Sequence, residues 1–307
     1  MIVYKELSSL VSDLGYSADA LYSLSNHAAK HYHTRFLSKR DGGRRKLRVP
    51  DAFLKAVQRK IADVLLPLEP ISEYAAAYRL GGSTKRNAAP HVGQPVLLKL
   101  DIWHFYDCIR YAAVKDAAFP AERYSGQNRI LLALLCTDGG ILPQGAPTSP
   151  AISNLVLRKF DETLGSWCKK NHITYTRYCD DMTFSGDFDP APVISFVREA
   201  LKKRGFVLND KKITVARTGR RKTVTGVVVN EQISAPSALK KELRQTLYYC
   251  KKFGIESHMK RKGVEGDPGS FASSLLGKVN YVLYLEPENA EMQAYRAFLL
   301  SAVKKKT

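Results

Sequence analysis

Two adjacent aspartates, Asp180 and Asp181, stand in the sequence TRYCDDMTFSG between two short runs rich in Thr, Tyr, Met and Phe. This pattern predicts a β-hairpin with both carboxylates at its tip. Like charges placed together cost stability unless cations neutralise them. An Asp-rich turn is the simpler interpretation, since Asp is a common turn residue. However, the neighbouring residues indicate flanking strands that are at least partly buried: Tyr175, Arg177, Met182 and Phe184.

A third carboxylate, Asp101, ends the leucine-rich run PVLLKLDI, which predicts a buried strand. Magnesium takes hard oxygen ligands, usually one or two carboxylates together with the phosphates of a substrate. Two such ions, roughly 3.5–4 Å apart, can activate an attacking hydroxyl and stabilise a leaving pyrophosphate oxygen. The three aspartates therefore predict a magnesium site that fits nucleotidyl transfer better than hydrolysis, although spacing alone does not decide between them.

The elements that would position these carboxylates follow from hydrophobic spacing. The pattern predicts N-terminal helices, a basic hairpin turning at DGG, strands and helices in mixed order, and a basic helical end after SAPS. Helices are predicted for DAFLKAVQRKIADVLLPL with Asp51 as N-cap, for Ser149 to Trp167 and for PVISFVREALKKRGF, and strands for FVLNDKKITVA and RKTVTGVVVN. Because strands and helices do not alternate strictly, we expect an α+β fold, an antiparallel sheet with helices on one face.

The charge balance points to a polyanionic partner. The 307 residues carry 48 Lys and Arg against 29 Asp and Glu, a net charge of +19. Such a surplus indicates nucleic acid before membrane. A protein kept soluble by charge would spread its cations evenly, yet residues 30–48 alone hold eight Lys or Arg and one Asp.

Cysteine usage and hydropathy bear on the compartment. The five cysteines form no CxxC pair, which suits free thiols in a reducing environment. The first residues lack a continuous apolar region, and the run ILLALLC is far too short to span a bilayer. We therefore expect a cytoplasmic protein without an export signal and without membrane association.

Three motifs carry a family resemblance. YCDD (178–181), LKLDIWHFYDCI (98–109) and LPQGAPTSPAISN (142–154) together, in this order, resemble the reverse transcriptases. Two more stretches, NAAPH (87–91) and VTG (224–226), are similar to elements of retron reverse transcriptases. The resemblance runs from about residue 45 to residue 230. The sequence is thus identified as resembling a retron-type bacterial reverse transcriptase.

The resemblance implies a right-hand polymerase with fingers, palm and thumb. Residues 1–95 would form N-terminal helices and fingers, residues 96–230 the palm with inserted fingers helices, and residues 231–307 a helical basic thumb. The palm would contain the antiparallel sheet. We expect helices on one face of it.

The resemblance also implies roles for individual residues near the metals. Asp101, Asp180 and Asp181 would be catalytic, and together with Ile102 they would bind two Mg²⁺ ions. Tyr106 would crowd the ribose 2′-OH and so select deoxynucleotides, where related retrons more often have Phe; a core aromatic beside Phe105 is the alternative. Further nucleotide contacts are expected from Arg45, Arg48, Gln144, Gly145 and Lys212, with Lys211 an alternative to Lys212 and a solvated charge run an alternative for the two arginines.

Contacts to RNA are expected from a separate set of residues. The resemblance implies that the NAAPH and VTG elements help to recognise a partner RNA, and that a basic thumb helix follows the template–primer backbone. These residues are Asn87, His91, Val224, Thr225, Gly226, Lys240, Lys241 and Arg244. Cys179 stands where retrons usually have alanine; we expect an inert thiol, with sensitivity to oxidation as the alternative.

The resemblance implies an RNA-directed DNA polymerase that copies part of a structured non-coding RNA into single-stranded DNA, using dNTPs. The copy would be primed from an internal guanosine 2′-OH. The role would be anti-phage defence with a separately encoded effector protein. Two rivals stay open: a compact group II-like or diversity-generating reverse transcriptase, and a non-catalytic RNA-binding scaffold that restrains an effector.

Overall fold

The computed structural model describes residues 2–38 and 42–304. Asp41 of the predicted DGG turn lies outside the described residues. The chain divides into two compact units, Met1–Gly82 with Val96–Val215, and Ser83–Pro95 with Ala216–Thr307. The three-part division at residues 95 and 230 stays a prediction.

Helices dominate the described chain. The α-helices are α1 (Leu7–Leu14), α2 (Ala18–Asn26), α3 (Ala52–Lys60), α4 (Thr84–Ala88), α5 (Phe105–Cys108), α6 (Tyr111–Ala118), α7 (Gly126–Leu135), α8 (Ser149–Lys170), α9 (Pro190–Lys202), α10 (Ser237–Phe253), α11 (Ile255–Lys262), α12 (Pro268–Leu285) and α13 (Ala290–Lys304). The strands are β1 (Tyr32–Ser38), β2 (Arg44–Pro50), β3 (Val96–Trp103), β4 (Thr174–Tyr178), β5 (Asp181–Gly186), β6 (Val207–Leu208), β7 (Thr214–Ala216), β8 (Thr223–Val224) and β9 (Val227–Val228).

The main sheet is antiparallel, as the sequence predicts. Its order is β4-β5-β3-β6, and β7 also pairs with β3. The leucine-rich strand β3 lies inside this sheet, where nearly all its side chains are buried. Helices α8 and α9 contact each other and also contact β4 and β6 respectively. The hydrophobic core lies between these helices and the sheet and includes Leu98, Phe160, Phe184 and Val197.

The helix predicted from Asp51 to Leu68 is shorter than its hydrophobic pattern. The Asp51 carboxylate caps α3 by accepting a hydrogen bond from the backbone N–H of Leu54 at 2.9 Å, as expected. The α-helix ends at Lys60. The chain then continues as a π-helical turn and a 3₁₀ turn that contains Pro67. Proline has no N–H to donate and its ring clashes with the preceding turn, so a regular helix cannot run through this position.

The second unit contains α4, the hairpin β8–β9 and helices α10 to α13. Helix α10 begins at Ser237, the last residue of the SAPS sequence predicted as a boundary. The buried apolar residues of this unit include Leu243 and Leu247 on α10, Val279 on α12 and Met292 on α13. Among the residues that the structure describes, no helix is both long enough and apolar enough to cross a bilayer.

Candidate active site

The paired aspartates lie where the sequence places them, at the tip of a β-hairpin. Strands β4 and β5 pair antiparallel with Tyr178 opposite Asp181, so Cys179 and Asp180 form a two-residue loop. Cys179 has a φ of +61°, and a positive φ in such a loop matches the right-handed twist of the flanking strands.

The register of the sheet brings the third carboxylate to the hairpin. Asp101 on β3 is the direct cross-strand partner of Asp181 on β5. The backbone N–H of Ile102 donates to the carbonyl of Asp180 at 3.2 Å. The structure therefore brings together all four residues predicted to bind metal.

Two polar side chains hold the Asp101 carboxylate. Asn209 Nδ2 donates to Oδ1 at 2.9 Å and Lys212 Nζ donates to Oδ2 at 2.7 Å. The Lys212 side chain is 60% exposed, whereas that of Asp101 is 6% exposed. Burial opposes the charge of Lys212, but its hydrogen bond to Asp101 and the negative charges of Asp101, Asp180 and Asp181 together outweigh burial and raise the pKa of the ammonium. Lys212 is therefore a protonated neighbour of the carboxylates.

The pKa of Asp181 reflects its place beside two other carboxylates. Burial by the surrounding protein, followed by the charges of Asp180 and Asp101, raises the pKa of Asp181 to about 6, while Lys212 and Lys99 act in the opposite direction. Asp181 nevertheless retains exposed surface at the hairpin tip, so an added cation can reach it. A cation there would relieve the repulsion among the three carboxylates.

The donor set fits a magnesium ion in type. Asp101, Asp180 and Asp181 supply hard carboxylate oxygens, the ligands that Mg²⁺ takes. Among the described side chains, no three His, Cys, Asp or Glu residues are already grouped as metal ligands. Both oxygens of Asp101 accept hydrogen bonds from Lys212 and Asn209. Each of these oxygens accepts a single hydrogen bond from the described residues, so the Asp101 carboxylate keeps lone pairs that a cation could use.

A cavity of about 700 Å³ opens over the hairpin tip. Its lining includes Asp180 and Asp181, the 144–147 turn, and the two tyrosines Tyr78 and Tyr106. Arg45, Lys55 and Arg59 also line it. None of these three cations forms an ion pair with a residue that the structure describes. Carboxylates and uncompensated cations in one cavity suit a ligand that is itself a metal-bound polyanion.

Tyr106 lines the cavity, and its role as a gate residue stays a prediction. Its hydroxyl lies 3.7 Å from Cys179 Sγ. Burial raises the pKa of the Tyr106 hydroxyl far above its usual range and that of the Cys179 thiol to about 11. The thiol is therefore protonated near neutral pH, which favours the expectation that Cys179 is inert.

Gly145 shows why the predicted turn needs glycine. Its φ is +130°, and a Cβ at this position would lie 2.9 Å from the carbonyl oxygen of Arg48. The N–H of Arg48 in turn donates to the carbonyl of Gln144 at 2.9 Å. The Gln144–Gly145 turn is thus pressed against the backbone of β2. Both residues line the cavity.

The two predicted triphosphate arginines are separated by the pleat of β2. Arg45 lines the cavity, whereas Arg48 forms an ion pair at 2.5 Å from its Nε to Asp138 and also contacts Thr34. Arg48 is absent from the cavity lining. The structure therefore favours Arg45 as the ligand-facing arginine.

Sequence reasoning missed three residues of the cavity. Lys55 and Arg59 lie one helical turn apart on α3, and their i, i+4 spacing was a signal that could have found them. Tyr78 comes from an irregular segment and has a φ of +56°, so no hydrophobic periodicity in the sequence indicates its place in the cavity. Asn209, the partner of Asp101, was also missed.

The NAAPH and VTG elements meet within the second unit. Asn87 Nδ2 donates to Thr225 Oγ1 at 3.4 Å, and Thr225 Oγ1 donates to the carbonyl of Thr84 at 3.4 Å. Asn87 and His91 are buried, and so is Val224. Thr225 and Gly226 form the two-residue loop of the β8–β9 hairpin, with φ values of +46° and +82° respectively. Asn87 therefore supports this loop, and RNA contact by Asn87 or His91 themselves stays a prediction that their burial does not favour.

The predicted thumb cations differ in how they are engaged. Lys240 Nζ lies 2.8 Å from Glu286, and Arg244 Nε lies 2.6 Å from Glu291. Lys241 is exposed and forms no ion pair with any described residue. Of the three, Lys241 is the one whose charge is available to a polyanion.

Comparison with known proteins defines the class first. Residues 37–229 match the sequence profile of the family described as "Reverse transcriptase (RNA-dependent DNA polymerase)". This segment contains the whole candidate site, and the α+β fold with its antiparallel sheet agrees with a polymerase of this class.

Individual relatives define the type. The chain is 34% identical to the Retron Mx65 reverse transcriptase of Myxococcus xanthus, over 96% of this chain and 71% of that protein. It is 30% identical to the Retron Mx162 reverse transcriptase of the same organism, over 95% and 65%. It is 32% identical to the Retron Ec83 reverse transcriptase of Escherichia coli, over 74% and 78%. The chain belongs to the retron-type reverse transcriptases, as its motifs predict.

Proposed function

We propose that this chain copies part of a structured RNA into single-stranded DNA with magnesium and dNTPs. The observation that carries the proposal is the sheet register, which places Asp101 directly opposite Asp181, a residue that lines the cavity together with Asp180. The matched family is one of RNA-dependent DNA polymerases, and the similarity to the retron enzymes disfavours a group II-like or diversity-generating lineage.

The proposed reaction gives the aspartates and Lys212 different roles. Two Mg²⁺ ions, when bound, would activate the primer hydroxyl and hold the triphosphate. Asp101, Asp180 and Asp181 would provide their carboxylate ligands, with Ile102 the adjoining backbone position. Lys212 would pass from Asp101 to the leaving pyrophosphate. It is already protonated and mostly exposed.

The nucleotide would be held by the remaining cavity residues. Arg45 is the proposed triphosphate contact, because it lines the cavity without an ion-pair partner among the described residues. Tyr106 would exclude the ribose 2′-OH by its bulk. The Gln144–Gly145 turn would lie beneath the nucleotide, since a glycine permits close approach of the backbone.

The retron type extends the proposal to the product and the partners. Synthesis would start from an internal guanosine 2′-OH of the non-coding RNA and give a branched RNA–DNA molecule. The complex would act in anti-phage defence with a separately encoded effector protein. We place it in the cytoplasm, because all five cysteines are free thiols, as is usual in a reducing compartment.

The test is to express the chain in bacteria with its neighbouring non-coding DNA and to extract the nucleic acid. The comparison is with Asp180→Asn, Asp181→Asn, a variant that keeps the side-chain volume and removes both charges. A discrete DNA that RNase shifts, made only by the unaltered chain, supports the proposal. The same DNA from both proteins would refute the metal site.

Two further outcomes separate the rivals. If no such DNA appears but the protein copies a supplied primed RNA, the polymerase is right and the retron product is wrong. If neither reaction occurs with Mg²⁺ present while the protein still binds RNA, a non-catalytic scaffold replaces the polymerase.

A further inference from the structure

A fully buried ion pair lies beneath the hairpin that carries the paired aspartates. The side chains of Arg177 on β4 and Asp161 on α8 are both 0% exposed. Arg177 Nε and Nη2 donate to the two carboxylate oxygens at 2.8 and 2.6 Å. Tyr175 also donates its hydroxyl to Asp161 at 2.9 Å. The guanidinium and carboxylate thus form a bidentate, water-excluded pair.

The remaining nitrogen of the guanidinium reaches the loop of the hairpin. Arg177 Nη1 donates to the carbonyl of Cys179 at 2.9 Å and to Asn154 Oδ1 at 3.2 Å. The Cys179 carbonyl belongs to the peptide group that also contains the N–H of Asp180. Fixing this peptide group fixes the direction in which Asp180 leaves the loop.

The same cluster holds another part of the cavity. Asn154 Nδ2 donates to the carbonyl of Ala77 at 2.8 Å. The backbone of Arg177 also pairs with this segment. Its N–H donates to the carbonyl of Tyr74, and its carbonyl accepts from the N–H of Ala76, both at 2.8 Å. The next residue after Ala77 is Tyr78, which lines the cavity. One buried cluster therefore fixes both the hairpin loop and the approach to Tyr78.

Stability alone does not account for such a pair. Taking two charges out of water is costly, and replacing a buried ion pair by apolar residues of similar volume is often neutral or stabilising. Cys179 is also held at a φ of +61°, a conformation that a side chain other than glycine seldom adopts and that the surroundings must impose. A fork of fixed geometry suits that task.

We propose that Arg177 is a positioning residue, which holds the Cys179–Asp180 loop in the orientation that metal-dependent catalysis requires. Asp161 orients the guanidinium, and Asn154 links it to the Tyr78 segment. Arg177 itself touches neither the metals nor the substrate. The inference rests on the proposed polymerase function for its kinetic consequence and on the hydrogen bonds alone for its structural consequence.

The test replaces the pair as a unit. Asp161→Leu combined with Arg177→Met removes both buried charges together and so avoids an uncompensated charge. The matched control is Glu69→Leu with Arg123→Met. In that pair Arg123 Nε lies 2.6 Å from Glu69 Oε1, and the guanidinium also donates to the backbone carbonyls of Ile2 and Leu68 in the same unit. Both side chains are 11% exposed.

Three quantities are measured for each protein: amide hydrogen exchange of residues 178–182, kcat and KM for dNTP on a primed RNA, and the Mg²⁺ concentration for half-maximal rate. In the Asp161–Arg177 variant we expect amide exchange at least fivefold faster and a raised Mg²⁺ requirement. We expect kcat to fall by about 100-fold, because a small misplacement of the reacting groups costs about 100-fold in rate. KM for dNTP should stay within about twofold. The control pair should leave all three unchanged.

A second variant covers the case in which the double replacement does not fold. Arg177→Lys keeps the charge beside Asp161 but lacks the fork that bridges two acceptors, and it should show the same changes. Unchanged exchange and unchanged kcat in a folded Asp161–Arg177 variant, or in Arg177→Lys, would overturn the inference. If the unaltered protein makes no DNA, the polymerase proposal fails, and hydrogen exchange still decides whether Arg177 positions the loop.

Discussion

Replacing Gly145 with alanine tests the placement of the Gln144–Gly145 turn, which is proposed to bind the nucleotide. The residue has a φ of +130°, and the new Cβ would approach the Arg48 carbonyl oxygen to 2.9 Å, closer than such atoms normally come. A side chain in this backbone region costs about 1–3 kcal/mol. The neighbouring atom is part of β2, which cannot swing away like a flexible side chain, so the turn itself must move.

The expected result is a loss of both stability and nucleotide binding. A cost of about 1–3 kcal/mol lowers Tm by about 2–10 °C in a protein of this size. Because Gly145 lines the cavity, displacement of the turn should also raise KM for dNTP by about tenfold. Differential scanning fluorimetry and steady-state primer extension measure the two effects.

Gly126→Ala is the matched control. Gly126 is the first residue of α7 and belongs to the same unit, but a Cβ there meets no atom within 4 Å, and its φ lies outside the left-handed region. We expect Gly126→Ala to leave KM unchanged and to keep or slightly raise Tm. If Gly145→Ala matches this control in both Tm and KM, the close approach of the turn to β2 is wrong.

Three further predictions concern charge. Burial lowers the pKa of His91 to about 4, so the folded protein keeps the ring neutral while the unfolded chain binds a proton below about pH 6.5. Stability should therefore fall by up to about 3 kcal/mol between pH 6.5 and pH 4, and His91→Gln should flatten this dependence in urea unfolding series. Lys212→Met should lower the polymerisation rate by about 100-fold. It should change Tm by less than about 2 °C, because the Lys212 side chain is mostly exposed and water screens its ion pair with Asp101, while Asn209 still donates to the Asp101 carboxylate; a large Tm shift with a normal rate would contradict its role. Lys241→Ala should reduce the slope of log K against log salt for RNA binding by about 0.7–0.9, whereas Lys240→Ala should not, since that ammonium already faces Glu286; equal slopes for the two variants would count against the assignment.

The candidate site was accessible to sequence reasoning where its signals are local. Asp101 ends an apolar run and Asp180 and Asp181 sit at a hairpin loop, so period and turn chemistry alone placed the carboxylates at strand ends. Their registration, Asp101 opposite Asp181, depends on which strands pair. The family motifs supplied the expectation that these strands are neighbours.

Other features required the tertiary structure. Arg45 and Arg48 look equivalent in the sequence, yet the strand pleat and Asp138 separate them. The sequence shows Arg177 only as a residue of a partly buried strand. Its complete burial depends on the Asp161 carboxylate of α8, and the sequence does not show that α8 packs against this strand. The early end of α3 reflects Pro67 overriding a continuing hydrophobic pattern.

The pairing of β3 with β5 has a consequence for biosynthesis. Helix α8 and strand β4 lie between the two strands along the chain, so the carboxylates meet only after a long loop has closed, a step whose entropic cost must be met before the contacts form. A nascent chain that has emerged only as far as α8 holds Asp101 without its partners. The three carboxylates therefore come together only after β5 has left the ribosome and joined the sheet.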